Sequence, residues 1–288
     1  MNIRVVPRLD IKGPNLVKGV SFEGLRVLGK PERFARYYYE NGADELIYID
    51  VVASLYGRNS LLSIVEKTSR EIFIPLTVGG GLRTTDDIRQ ALRAGADKVS
   101  LNTAALARPE LVREASRMFG SSTIVVSIEA IKHADGTYEA YANYGRESTG
   151  VDALEWAVRA AELGAGELMV TSINQEGTGR GFDTSLISRI SKSVPIPVIA
   201  GGGAGKVEHV REVIDAAHVE AVAIASMLHY DCLQHHDPSE FDAEGNIEFL
   251  KRGSRFSRMA YASPWDVKAH LMANGIACRG RRGAQQHV

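Results

Sequence analysis

The sequence predicts a single (β/α)8 barrel built from two half-barrel repeats, with an insertion after the eighth strand. Three observations carry this. Eight short β-branched runs recur along the chain, most of them separated by segments with helical spacing. The runs are continuously apolar rather than alternating, as strands covered on both faces are. Finally, residues 74–106 (IPLTVGGGLRTTDDIRQALRAGADKVSLNTAAL) align without gaps on 196–228 (IPVIAGGGAGKVEHVREVIDAAHVEAVAIASML). GADELIYID (42–50) falls on GAGELMVTS (164–172) at the same offset of 122 residues. A period of half a barrel is far longer than a solenoid repeat. Two like halves closing on each other explain it better than the runner-up, an open doubly wound sheet. Chance likeness between glycine-rich βα turns is the bland alternative.

The eight strand runs, in order, are IRVVPRLDI, ELIYIDVVAS, IPLTVGG, KVSLN, TIVVSIEA, ELMVTSI, IPVIAGG and AVAIAS. The first helix, in KPERFARYYYENGAD, places Phe34, Tyr37 and Tyr38 at i, i+3, i+4 and stops at Gly42. In TTDDIRQALRAGAD, Thr84 is the expected N-cap, Ile88 and Leu92 share a face, and Gly95 ends the helix. VDALEWAVRAAELGAG repeats the scheme and stops at Gly164. The segment after the first strand, holding Lys18, gives about twenty residues before the first helix and reads as a lid-length loop. The last helix lies in SPWDVKAHLMANGI, with Ser263 as N-cap, Pro264 at N1 and a stop at Gly275. Residues 1–278 are assigned to the barrel, including an insertion at about 231–262, and 279–288 to a basic, disordered tail.

The C-terminal ends of barrel strands form the working face. Gly79-Gly80-Gly81 follows the third strand and Gly201-Gly202-Gly203 follows the seventh. Bare backbone N–H groups at a strand end make an anion cradle. Asn102 and Thr103 end the fourth strand, with Ala225 and Ser226 at the equivalent place after the eighth. Two cradles on opposite sides suit a ligand with a phosphate at each end; a lone GGG is more often a tight turn. The acids are paired too: Asp10 ends the first strand and Glu129 the fifth, across the barrel from each other. Such a pair can act as general acid and general base. A single acid at a strand end is more often a loop cap or a salt-bridge partner. Lys18 is placed to reach a phosphate, or is merely solvated. Asp50 and its repeat equivalent Ser172, with Glu176 and Thr178, complete the candidate binding set.

Bulk properties exclude several classes. The 288 residues are 44% hydrophobic and 24% charged with a formal net charge of −1, so no global field favours nucleic acid or an acidic membrane. Two cysteines, Cys232 and Cys278, give no disulfide framework and suit a reducing cytoplasm. The N-terminus has no secretory h-region, and no run approaches the roughly 18 apolar residues of a membrane span. His229, Cys232, His235 and His236 lie close in sequence, but their spacing fits no firm zinc pattern, so surface histidines are the preferred reading and no metal or cofactor is expected.

RLDIKGPNLVKG, DELIYIDVVAS, PLTVGGGLRTTDDIRQALRAGADKVSLNTAA, GAGELMVTSINQEGTGRGFD and PVIAGGGAGKVEH together resemble the cyclase subunit of imidazole glycerol phosphate synthase, from the N-terminus to about Tyr230. The sister isomerase of histidine biosynthesis is a weaker match. The resemblance implies a bis-phosphorylated ribulosyl formimino aminoimidazole carboxamide ribonucleotide as substrate. It implies ammonia from a separate glutaminase subunit docked on the N-terminal face of the barrel, and ring closure to imidazole glycerol phosphate. It places the catalytic acids on Asp10 and Glu129. The phosphate turns fall on Gly80, Gly81, Asn102, Thr103, Gly177, Gly202, Gly203 and Ser226. A charged gate for ammonia at the barrel bottom falls on Arg4, Glu45, Lys98 and Glu167.

The departures are specific. The family has aspartate where this chain has Glu129, and its aspartate-bearing loop reads INQEGT here, with Asn174 and Glu176. Glutamate carries the carboxylate outward by one methylene, a displacement of a size that can cost about 100-fold in rate. Relatives of this cyclase that supply ammonia for amidination of an acetamido sugar in surface-glycan pathways are therefore an alternative. A non-catalytic barrel that only scaffolds a glutaminase is a second.

Overall fold

Strand β1 (Arg4–Lys12) pairs in parallel with β4 (Leu46–Asp50) on one side and β12 (Ala221–Ile224) on the other. From β4 the ladder runs through β5 (Leu76–Gly79), β6 (Lys98–Leu101), β7 (Ile124–Lys132), β10 (Glu167–Ser172) and β11 (Val198–Gly201) back to β12. All these pairings are parallel, so eight strands close a barrel and leave no edge. The computed structural model describes residues 2–53, 61–235 and 259–280. Residues 236–258, which include His236 and most of the expected insertion, and tail residues 281–288 lie outside the described residues.

The half-barrel repeat is visible in the strands: β11 begins 122 residues after β5. Helices follow the strands on the outside: α1 (Pro31–Glu40), α2 (Leu62–Ser69), α3 (Thr85–Arg93), α4 (Thr103–Ala107), α5 (Glu110–Phe119), α6 (Ala153–Glu162), α7 (Thr184–Ser193), α8 (Val207–Ala217), α9 (Ser226–Gln234) and α10 (Pro264–Ala273). The expected caps are in place. Thr84 and Asp87 form a capping box on α3, and Ser263 and Asp266 form another on α10, with Pro264 in its first turn.

Two segments depart from the sequence expectation. The stretch after β1 is a β-hairpin rather than a loop: β2 (Asn15–Val20) and β3 (Glu23–Gly29), with β2 antiparallel to β1. A second hairpin, β8 (Tyr138–Ala142) and β9 (Glu147–Asp152), stands at the matching place on β7. Both β1 and β7 therefore run past the barrel rim. Asp10 and Glu129 lie within these strands, not at their ends. Each sits where a hairpin strand has replaced a barrel neighbour: Asp10 opposite Val17, and Glu129 opposite Tyr141.

Two apolar clusters hold the fold. One fills the layer between strands and helices. The other plugs the barrel itself, with Val6, Ile47, Val125, Met169, Ile199, Ala221 and Ala223 in contact. The last helix is tied down by charge. Lys268 of α10 is buried and donates to Asp44 Oδ1 at 2.8 Å; Arg279 Nε lies 3.0 Å from the same oxygen, and Val5 N donates to Oδ2 at 2.8 Å. Removing one partner of a buried ion pair strands the other charge. Asp44→Ala is expected to cost about 3–5 kcal/mol, read as a lower urea midpoint; an unchanged midpoint would show the pair contributes nothing. Among the described residues, no helix is long and apolar enough to cross a membrane.

Candidate active site

Inward positions recur every second residue along a strand, so Arg4, Val6, Arg8 and Asp10 of β1 share the interior face. Asp10 and Glu129 are 1% and 4% exposed, and the buried Arg8 lies between them. Its Nε donates to Asp10 Oδ1 at 3.0 Å, its Nη1 donates to Thr171 Oγ1 at 3.1 Å, and its Nη2 is 3.6 Å from Glu129 Oε1. Tyr144 Oη donates to Asp10 Oδ2 at 2.8 Å, and Asn102 Nδ2 donates to Glu129 Oε2 at 3.1 Å. Lys18 of β2 is 3.7 Å from Asp10 Oδ2 and ion-paired with Glu176. Thus five sequence-selected residues, Asp10, Lys18, Asn102, Glu129 and Glu176, meet in one cluster.

The surroundings drive the two carboxyls in opposite directions. Burial alone would raise Asp10, but Arg8, Lys18 and the Tyr144 hydroxyl outweigh it and hold its carboxyl below the ordinary value. For Glu129 burial prevails. Asp10 and Glu176 add to it, Arg8 and Asn102 oppose it, and the carboxyl is pushed up to about 7. Paired carboxyls driven apart in this way are the arrangement that assigns one as base and the other as acid.

Arg8 and Tyr144 were not among the sequence candidates. The period of two that links Arg4 to Asp10 marks Arg8 as inward, so that signal was available. Tyr144 sits in the turn of the second hairpin, and nothing in the sequence aims its side chain. Phe22 sits in the turn of the first hairpin. Both adopt left-handed backbone, at φ 64° for Phe22 and 58° for Tyr144. Their rings lie 4.1 Å apart, and the Arg8 guanidinium is 5.3 Å from the Phe22 ring centre. The two hairpin tips thus roof the acid pair.

A cavity of about 320 Å³ opens on one side of this roof, walled by Asp50, Gly80, Gly81, Asn102, Thr103, Ser127, Glu129 and Tyr144, with Arg83 and Arg108 at its rim. A second, of about 340 Å³, is walled by Lys18, Arg26, Gly177, Ser226 and Tyr230. Besides Glu176, four further binding candidates line neither. Thr178 Oγ1 donates to the Gln175 carbonyl. Gly202 is packed under Ser172, and the Gly203 carbonyl accepts from Gly181 N. Ser172 is buried beside them, its Oγ without a hydrogen-bond partner. The glycines also have a steric reason of their own. A Cβ on Gly80 (φ 94°) would stand 2.3 Å from the Asp50 carbonyl oxygen, and one on Gly203 (φ 110°) 2.0 Å from that of Gly181. Backbone packing requires these glycines by itself.

At the opposite end of the barrel, Arg4, Glu45, Lys98 and Glu167 form a closed ring. Arg4 donates to Glu45 at 2.7 Å and Glu167 at 2.5 Å; Lys98 donates to the same two at 3.1 and 2.7 Å. The apolar plug around Val6 and Met169 lies between this ring and the acid pair. The histidines near α9 are separately engaged. His229 Nδ1 is 2.6 Å from Tyr38 Oη, and burial first, then Lys18, lowers its pKa to about 3. His235 Nδ1 faces the Asp231 carbonyl, and burial pushes the Cys232 thiol up. Among the described residues, no group of three or more His, Cys, Asp or Glu is placed to hold a metal ion.

A closed barrel of eight parallel strands, with a charge-linked acid pair at their C-terminal mouth, has the build of a (β/α)8-barrel enzyme. A family model described as histidine biosynthesis protein matches residues 4–234, and the chain belongs to that family. It is 56% identical over 207 residues to the imidazole glycerol phosphate synthase subunit HisF of Legionella pneumophila, covering 72% of this chain and 98% of the relative. Subunits of the same name from Alkaliphilus metalliredigens (strain QYMF) and Bacillus cereus (strain Q1) are 46% and 48% identical over 228 and 227 residues, in each case 79% of this chain and 90% of the relative.

Proposed function

We propose that the chain is the cyclase subunit of imidazole glycerol phosphate synthase, using ammonia from a glutaminase partner to close the imidazole ring in histidine biosynthesis. The carrying observation is the split acid pair: an ionised Asp10 and a Glu129 that keeps its proton to about pH 7, flanked by two cavities. Ammonia adds to the formimino carbon of the substrate and displaces the amine of the aminoimidazole nucleotide, and the new nitrogen then condenses with the ribulosyl ketone, losing water, to close the ring. Asp10 takes a proton from the incoming nitrogen, and Glu129 gives one to the departing amine. The cavity beside Gly80 and Thr103 and the cavity beside Gly177 and Ser226 take the two phosphates. The bottom ring is the entry for ammonia and faces the glutaminase. The names of the relatives favour this reading over the sugar-amidination and scaffold alternatives.

A chain with this function, expressed with the glutaminase from its own genome, restores growth of a histidine-requiring strain that lacks the cyclase; failure to do so with folded protein counts against it. The pH profile follows from the acid pair. Glu129 donates only while protonated, so the rate is expected to fall as pH rises through about 7. Asp10 is held below the ordinary carboxylate range, so the acidic limit lies lower still. A profile flat across neutral pH would remove Glu129 from the proton-donor role.

A further inference from the structure

An arginine in a barrel interior is costly unless its charge is answered. Among the described residues, the cluster beneath the hairpin roof holds two cations, Arg8 and Lys18, and three carboxylates, Asp10, Glu129 and Glu176. Lys18 is committed to Glu176. Arg8 is committed unequally. It makes a charge-assisted hydrogen bond to Asp10 at 3.0 Å, whereas its Nη2 stands 3.6 Å from Glu129 and has no hydrogen-bond partner. Thr171, by accepting from Nη1, fixes the plane of the guanidinium so that the fork cannot serve both acids alike. One carboxylate is left over in the charge count, and the geometry makes it Glu129.

We propose that Arg8 is a positioning residue that divides the acid pair, committing its fork to Asp10 so that Asp10 is the base and Glu129 holds the proton. Two coupled carboxyls in equivalent surroundings would share a proton without assigned roles; a cation hydrogen-bonded to only one of them breaks the tie. The groups acting on Glu129 are Arg8 and Asp10 of β1, Asn102 after β6 and Glu176 after β10, and Tyr144 of the second hairpin lines the same cavity. Of these, only Arg8 contacts both acids through its charge. This rests on the proposed acid–base reading of the pair.

The test uses the full chain with the bis-phosphate and an ammonium salt adjusted at each pH to the same concentration of free ammonia. Arg8→Met removes the charge at similar length; Arg8→Lys keeps the charge but not the fork. Rate profiles against pH are read together with carboxyl titrations of 13C-labelled protein, which need no turnover. In Arg8→Met, kcat is expected to fall about 100-fold with KM changed less than about threefold. The acid limb and the Asp10 carboxyl are expected to move up by more than about one pH unit. Arg8→Lys is expected to restore part of the rate and return the limb. Unchanged kcat and limb positions, a loss confined to KM, or unfolding of both variants would overturn the proposal. A wild-type chain without turnover would instead count against the cyclase reading, and the carboxyl titrations would still decide on Arg8.

Discussion

Asp10→Asn is expected to lower kcat for cyclisation by about 10³-fold, within the span a positioned general base contributes, while the chain stays folded and still binds its glutaminase. Asparagine keeps the size of the side chain and can still meet Tyr144, but it cannot take a proton. It also strips Arg8 of its hydrogen-bonded carboxylate. Some instability from the stranded cation is therefore expected, and a melting curve measured beside the rate separates the two effects. An unchanged rate in a folded variant would make Asp10 structural.

Glu129→Asp is the second large effect. The glutamate reaches from β7 to place Oε2 3.1 Å from Asn102 Nδ2 and Oε1 3.6 Å from Arg8. Aspartate withdraws the carboxylate by one methylene and gives up the Asn102 bond. A displacement of this size is expected to cost about 100-fold in kcat, with a smaller change in KM, measured by initial rates on the bis-phosphate. A rise in rate would mean that this mouth is tuned for something other than histidine synthesis, because aspartate is what the resembled family carries there.

The architecture was legible because its signals are redundant. The 122-residue offset placed equivalent strands, and Thr84 and Ser263 announced their helices; the ring residues Arg4, Glu45, Lys98 and Glu167, which came from the family resemblance alone, do meet. The hairpins were hidden because NLVKGV and YEAYA are short and the first turn centres on Ser21-Phe22, a pair outside the usual turn signals; the second, Asn143-Tyr144-Gly145-Arg146, carries an asparagine and a glycine that do signal a turn. Missing the hairpins moved Asp10 and Glu129 to strand ends and left Phe22 and Tyr144 without a role. Arg8 was passed over for another reason. The period of two marks it as inward, but a lone cation in an apolar run carries no role until its partners Asp10, Thr171 and Glu129 are in place around it. The glycine triplets were correctly located, but packing against Asp50 and Gly181 explains them without an anion.

The most direct measurement supplies the purified chain with the bis-phosphorylated substrate and saturating ammonium salt, without a glutaminase, and follows both products. Imidazole glycerol phosphate and the aminoimidazole nucleotide should appear in equal amounts, at a fixed concentration of free ammonia faster below about pH 7 than above it, and should vanish to background with Asp10→Asn. Folded protein that forms neither product at any ammonium concentration would contradict the assignment of this mouth to the cyclase reaction.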